Sequence, residues 1–133
     1  MQPHTRALVA AASFAFVTGK KVGGLYDHTD GRDRLIAAES RGDQLQGFDG
    51  ERQAKFSGRL PELYDEGDRQ SISIIVQDGS VRGHDRISGT DFAAKVGEGF
   101  VQVYDYGAGA WFDYEVQNPD AQMSYYRADA ATG

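Results

Sequence analysis

The chain of 133 residues contains no cysteine. Disulfides, thiolate metal sites and a cysteine nucleophile are therefore excluded. Nothing marks an oxidising compartment, so a cytoplasmic location is the expectation and secretion is left open. Proline and histidine are scarce, with 3 residues each, and no two of His4, His28 and His84 stand at a metal-ligand spacing. Positive charge is short as well: 14 Lys and Arg face 20 Asp and Glu, for a net charge of −6, and the basic residues form no cluster. Phosphate backbones and anionic lipids would repel such a surface, so nucleic acid and membrane are not expected partners. The most apolar stretch, Ala7 to Val17, is interrupted only by Ser13 and has 11 residues, too few to cross a bilayer.

That run is expected to form a helix over residues 5–18, with Thr5 as N-cap, Gly19 just past its end, and Lys20 and Lys21 near the negative end of its dipole. An apolar stretch behind Arg6 resembles a short signal peptide, but it ends in Thr18-Gly19-Lys20-Lys21 without a small-x-small cleavage site. A helix apolar on nearly every side needs cover on every side. It should be an internal plug or an interface element, with Leu8, Phe14 and Phe16 as the side chains that fill the lumen if it is internal.

What the chain has in plenty is glycine, 17 residues, and a repeat. An aromatic-Asp pair recurs as Tyr26-Asp27, Phe48-Asp49, Tyr64-Asp65, His84-Asp85 and Tyr104-Asp105. Seven residues after each Asp stand Arg34, Phe56, Ile72, Phe92 and Phe112; nine after, Ile36, Gly58, Ile74, Ala94 and Tyr114; eleven after, Ala38, Leu60, Val76, Val96 and Val116. Apolar residues at every second position indicate a strand with one face buried. Leu45, Val81 and Val101 four residues before the Asp, and Leu25, Leu63 and Val103 two before, mark a second strand running into the turn. Between the two, each loop opens on Asp and contains Gly, which is hairpin chemistry. Second turns, such as Asp78-Gly79 and Glu98-Gly99, join the units, whereas Leu60-Pro61 suggests a shortened edge strand or a crossing between sheets.

The expected fold is therefore all-β with one N-terminal helix: a single domain over 1–133, with the helix at 5–18, five hairpin repeats at 22–116 and a tail at 117–133. About ten short antiparallel strands would form a small barrel or sandwich. A helix of about thirteen residues and a strand of six are both roughly 20 Å long, so the helix fits a barrel's lumen.

The Val103-Tyr104-Asp105-Tyr106-Gly107 run followed by Phe112-Asp113-Tyr114 resembles the YDYG…FxY hairpin units of a group of small bacterial proteins with an N-terminal helix. The resemblance covers the chain from the helix to Val116 and implies the fold without an activity. The Tyr-Asp hairpins are also similar to the YD repeats of Rhs shells. That likeness lies in hairpin chemistry alone, and five units are too few for a shell.

Chemistry-bearing patterns are sparse. No Ser lies in a GxSxG context, no Gly-rich stretch has the Lys and Ser or Thr of a phosphate loop, and Arg41-Gly42-Asp43 reads as a turn. Acidic residues such as Asp30, Asp33, Asp65, Glu66 and Asp68 lack the spacing of a calcium loop. No cofactor, metal or catalytic residue is expected. Tyr26, Asp27, Tyr104, Asp105, Tyr106, Trp111 and Tyr114 are the candidate binding residues, because aromatics beside carboxylates can stack on sugar rings and bond hydroxyls. The leading expectation is a non-catalytic structural or protein-interaction domain that self-associates as a homo-oligomer or binds another protein. A carbohydrate-binding module is the alternative, and a small hydrolase using Asp and His84 stands third.

Overall fold

A computed structural model describes residues 1–117 of the protein; apart from Gln117, the expected tail lies outside the described residues. One helix, α1 (Pro3–Thr18), precedes eleven strands: β1 (Gly24–Asp27), β2 (Arg32–Arg34), β3 (Ile36–Arg41), β4 (Gln44–Asp49), β5 (Ala54–Arg59), β6 (Glu62–Asp65), β7 (Gln70–Gln77), β8 (Ser80–Asp85), β9 (Thr90–Gly97), β10 (Phe100–Asp105) and β11 (Ala110–Gln117). All pairings between named strands are antiparallel, in the order β2-β1-β11-β10-β9-β8-β7-β6-β5-β4-β3.

The strands at the two ends of that order are consecutive in the chain, with only Leu35 between them. The sheet thus curls into a nearly closed barrel. Paired N–H···O=C bonds between Val22 and Ala38, 2.8 and 3.0 Å, stitch the seam. Leu25 faces Arg34 but Val22 faces Ala38, so the β2–β3 side holds one extra residue, a bulge that bends the strand from one neighbour to the other. The second strand of the first hairpin is therefore β2 and β3 together, and the five repeats account for all eleven strands.

Every repeat turns in the same way. The loops 28–31, 50–53, 66–69, 86–89 and 106–109 follow Asp27, Asp49, Asp65, Asp85 and Asp105, and each Asp carboxylate accepts from loop N–H groups two or three residues on. All five loops end in a residue of positive φ: Gly31, Gln53, Arg69, Gly89 and Gly109. The five aspartates therefore ring one rim of the barrel, and the turns that join units ring the other. Leu60-Pro61 is one of those joining turns, with a cis peptide bond. β6 is short, as expected there, but it pairs on both sides with β5 and β7, so it is neither an edge nor a crossing.

The helix fills the lumen. Leu8, Val9, Ala10, Ala11, Ala12 and Ala15 are fully buried, and α1 packs against β1, β3, β4, β7, β9, β10 and β11. Alanine dominates because the strands' own side chains leave room for little more than a methyl group along much of the helix. The helix begins at Gln2, which is extended, with Pro3 in its first turn, and not at Thr5, which is buried within it. Its far end is closed as expected: Gly19 is left-handed and its N–H donates to Ala15 O at 2.9 Å, while Ser40 Oγ reaches the same carbonyl at 2.7 Å. Phe16 is only partly buried, so the anchoring falls to Leu8 and Phe14.

Large and small residues interlock across the inner wall. Two residues before Asp49 and Asp85 the inward position is glycine, and the partner across the strand is phenylalanine: Gly47 faces Phe56, Gly83 faces Phe92. A Cβ on Gly83 would stand 2.0 Å from Ser73 O and 2.4 Å from the Phe92 ring. Gly83→Ala should therefore cost about 1–3 kcal/mol through overpacking, read as a lower denaturation midpoint at unchanged m-value. An unchanged midpoint would show that Phe92 does not lie over this glycine.

Outward positions carry polar and charged side chains on most strands, and no helix among the described residues is long and apolar enough to cross a membrane.

Candidate functional site

The alternation of each strand sorts the seven candidate residues into two sets. Asp27, Asp105 and Tyr114 point into the barrel and are buried, whereas Tyr26, Tyr104 and Trp111 lie on the outer wall, and Tyr106, in the loop after β10, packs edge-on against Tyr104. The sequence pairs each aromatic with its neighbouring Asp, but adjacent residues of a strand face opposite ways. They cannot share a ligand.

The inner set belongs to a charge network at the aspartate rim. Arg34 Nε donates to Asp27 Oδ2 at 2.9 Å, and its other nitrogens reach Asp30 and Glu51. Arg52 links two repeats, donating to Asp49 at 2.6 Å and, through both terminal nitrogens, to Asp65 at 3.0 and 3.1 Å. Asp105 receives Arg6 at 3.3 Å and the Met1 ammonium at 3.0 Å. Burial opposes the charge on Asp105, but the ammonium and the N–H groups of Ala108 and Gly107 outweigh it and hold the carboxyl below its ordinary range. Asp85 is served differently, by the hydroxyl of Ser88 at 2.6 Å and by loop N–H groups. The helix N-terminus, the positive end of its dipole, sits at this same rim.

His4, Asp65 and Asp68 bring potential metal-ligating atoms within 4.8 Å of one another. Arg52 Nη1, 3.0 Å from Asp65 and 3.5 Å from Asp68, already supplies the positive charge there, and His4 Nε2 bonds Asp68 at 2.8 Å. The cluster is a knot that fastens the helix to the third loop.

Tyr114 reaches into the interior near the same network, and burial foremost, with Asp27 adding to it, pushes its phenol well above the ordinary value; Arg6 and Arg34 pull the other way. A raised folded-state pKa means that the neutral phenol's contribution is intact below the unfolded value of about 10 and is lost as pH rises beyond it. Stability should fall above about pH 10, and Tyr114→Phe should remove part of that fall. Parallel pH dependence of the two denaturation midpoints would contradict it.

On the outer wall, β10 and β11 form a two-strand ladder of three outward rungs: Phe100 opposite Glu115, Gln102 opposite Asp113, and Tyr104 opposite Trp111. Trp111 and Tyr104 meet edge to face with centroids 5.0 Å apart, Tyr106 adds a second such contact at 4.8 Å, and Lys95 Nζ lies 5.1 Å from the Trp111 ring. Gln102 Nε2 donates to Asp113 at 3.1 Å. His28, just past β1, sits 2.9 Å from Glu115 and edge-on to Tyr26. Between Phe100 and the Gln102–Asp113 rung runs a groove of about 580 Å³, bordered also by His28, Glu98 and Glu115, a volume within the ordinary range for small-molecule sites.

Phe100, Gln102, Asp113, Glu115, Glu98 and His28 were not among the candidates read from the repeat. Their signal is the parity of β11: once Tyr114 is taken as inward, Trp111, Asp113 and Glu115 must face out together. His84, the residue considered for acid-base chemistry, is on the outer wall of β8 paired with Asp91 at 2.8 Å, apart from this groove.

Fold and site together define a small antiparallel barrel plugged by its own helix, with an aromatic and acidic patch on the outside. Comparison with protein-family models, curated proteins and solved structures finds no match to this chain.

Proposed function

We propose that this protein is a non-catalytic binding domain, a rigid barrel whose outer face on β9, β10, β11 and β1 receives a partner. One observation carries this reading. Phe100, Tyr106 and Trp111 keep 43%, 60% and 45% of their surface in water on β10, β11 and the loop between them, three aromatic rings on one hairpin, whereas the other exposed large apolar side chains, Tyr64, Ile75 and Ile87, are spread over β6, β7 and the loop 86–89. Cross-strand aromatic pairs on such a face contribute about 0.2–1 kcal/mol each. Tyr106→Ala and Trp111→Ala should accordingly shift stability by no more than about 1 kcal/mol in chemical denaturation. A loss of several kcal/mol would mark the row as structural and remove the reading.

A second copy of the chain is a partner that the charge pattern favours. The β9–β2 side of the barrel exposes Asp33, Asp91, Asp113 and Glu115 against Arg32 and Lys95, whereas the β3–β8 side exposes Arg41, Lys55, Arg59 and Arg82 against Glu39 and Glu62. Opposite walls of opposite sign attract, and that attraction weakens with salt.

A further inference from the structure

We propose that the groove on β10 and β11 binds a neutral saccharide; the inference rests on the reading of that face as a binding surface. Two aromatic rungs bracket a polar one. The groove itself lies between Phe100 and the Gln102–Asp113 pair, and the Tyr104–Trp111 pair is the next rung of the same outer face beyond it. At about 3.4 Å per residue the outer rungs lie about 14 Å apart, an extended platform and not a pit. Aromatic faces suit the C–H faces of sugar rings, and planar polar side chains beside them suit vicinal hydroxyls.

The polar groups decide among ligand classes. A cation, whether a metal ion or an ammonium, is held by lone pairs alone and would ask for a groove of acceptors. This one mixes acceptors, the carboxylates of Asp113, Glu115 and Glu98, with donors that bond two of them, the Gln102 amide to Asp113 and the His28 imidazole to Glu115, so that a ligand hydroxyl can share or replace either bond. Hydroxyl groups both donate and accept, so a diol can use the two kinds together. Three carboxylates around the groove repel phosphates, uronates and other acidic sugars. Lys95, the nearby cation, is turned onto Trp111.

The test titrates the protein with a panel of neutral gluco-, manno-, xylo-, galacto- and chito-oligosaccharides, and with oligogalacturonate as the acidic control. Binding is followed by calorimetry and Trp111 fluorescence. At least one neutral oligosaccharide should saturate the site in the millimolar range or below, and oligogalacturonate should not. Phe100→Ala, whose ring lies over Gly97, and Asp113→Ala should each weaken that binding tenfold or more in a barrel that circular dichroism shows still folded. The inference is overturned if no neutral oligosaccharide saturates, if the acidic control binds equally, or if binding persists in both variants. The face as a whole is judged separately, by sedimentation of the parent and of Asp113→Ala. Self-association that the variant abolishes keeps the binding surface and assigns it to a second copy. No saccharide binding combined with unfolding of Trp111→Ala removes both.

Discussion

Ala11→Asp should abolish the folded barrel at neutral pH. Ala11 is fully buried in the middle of the lumen helix, so the new side chain brings extra volume into a close-packed space and an ionised carboxylate without a partner. Overpacking alone costs about 1–3 kcal/mol. An unpaired buried charge costs several more, and a small domain has only about 5–15 kcal/mol to lose. The expected result is loss of the cooperative melt and of the native circular dichroism. Lys20→Asp, at an exposed position beyond the helix, should melt close to the parent. An Ala11→Asp variant that melts like the parent would mean that the helix does not occupy the lumen in solution.

Arg52→Met should be the most damaging change at the aspartate rim. Arg52 holds Asp49 and Asp65, which are 4% and 1% exposed, across the junction of two repeats. Methionine keeps most of the side chain's length but leaves two buried carboxylates without a cation. Removal of one partner from such a group costs about 3–5 kcal/mol. Because the deficit comes from stranded charge and not from lost volume, adding Asp65→Asn should recover part of it, a coupling that a double-mutant cycle measures. Strictly additive losses would show that the two side chains do not interact.

Much of this was legible in the residues. A strand buried on one face must alternate, and an Asp that opens a turn can cap it, so the five hairpins and the place of each aspartate at a hairpin turn follow from spacing alone. The first helix boundary was missed because a buried Thr5 imitates a cap; Gln2 starts the helix without any side-chain bond. Phe16 lies nearer the surface than Leu8 and Phe14, a difference that an all-apolar helix does not encode, because its pattern does not mark which turn lies deepest in a lumen. The binding row was half misread: reading aromatic and Asp as a pair ignored the period of two that places one of them inside.

The sequence by itself determined the repeat, the hairpins, the inward and outward sets and the need to bury the helix, because each follows from local periodicity and turn chemistry. Only the tertiary structure decided that the sheet closes around the helix, since closure depends on Val22 meeting Ala38 across the seam. The same holds for Arg52 bridging two repeats and for Gln102 and Asp113 standing together between aromatic rungs. Those contacts join residues whose partners are set by register and curvature, and register and curvature are properties of the assembled sheet that no single segment encodes.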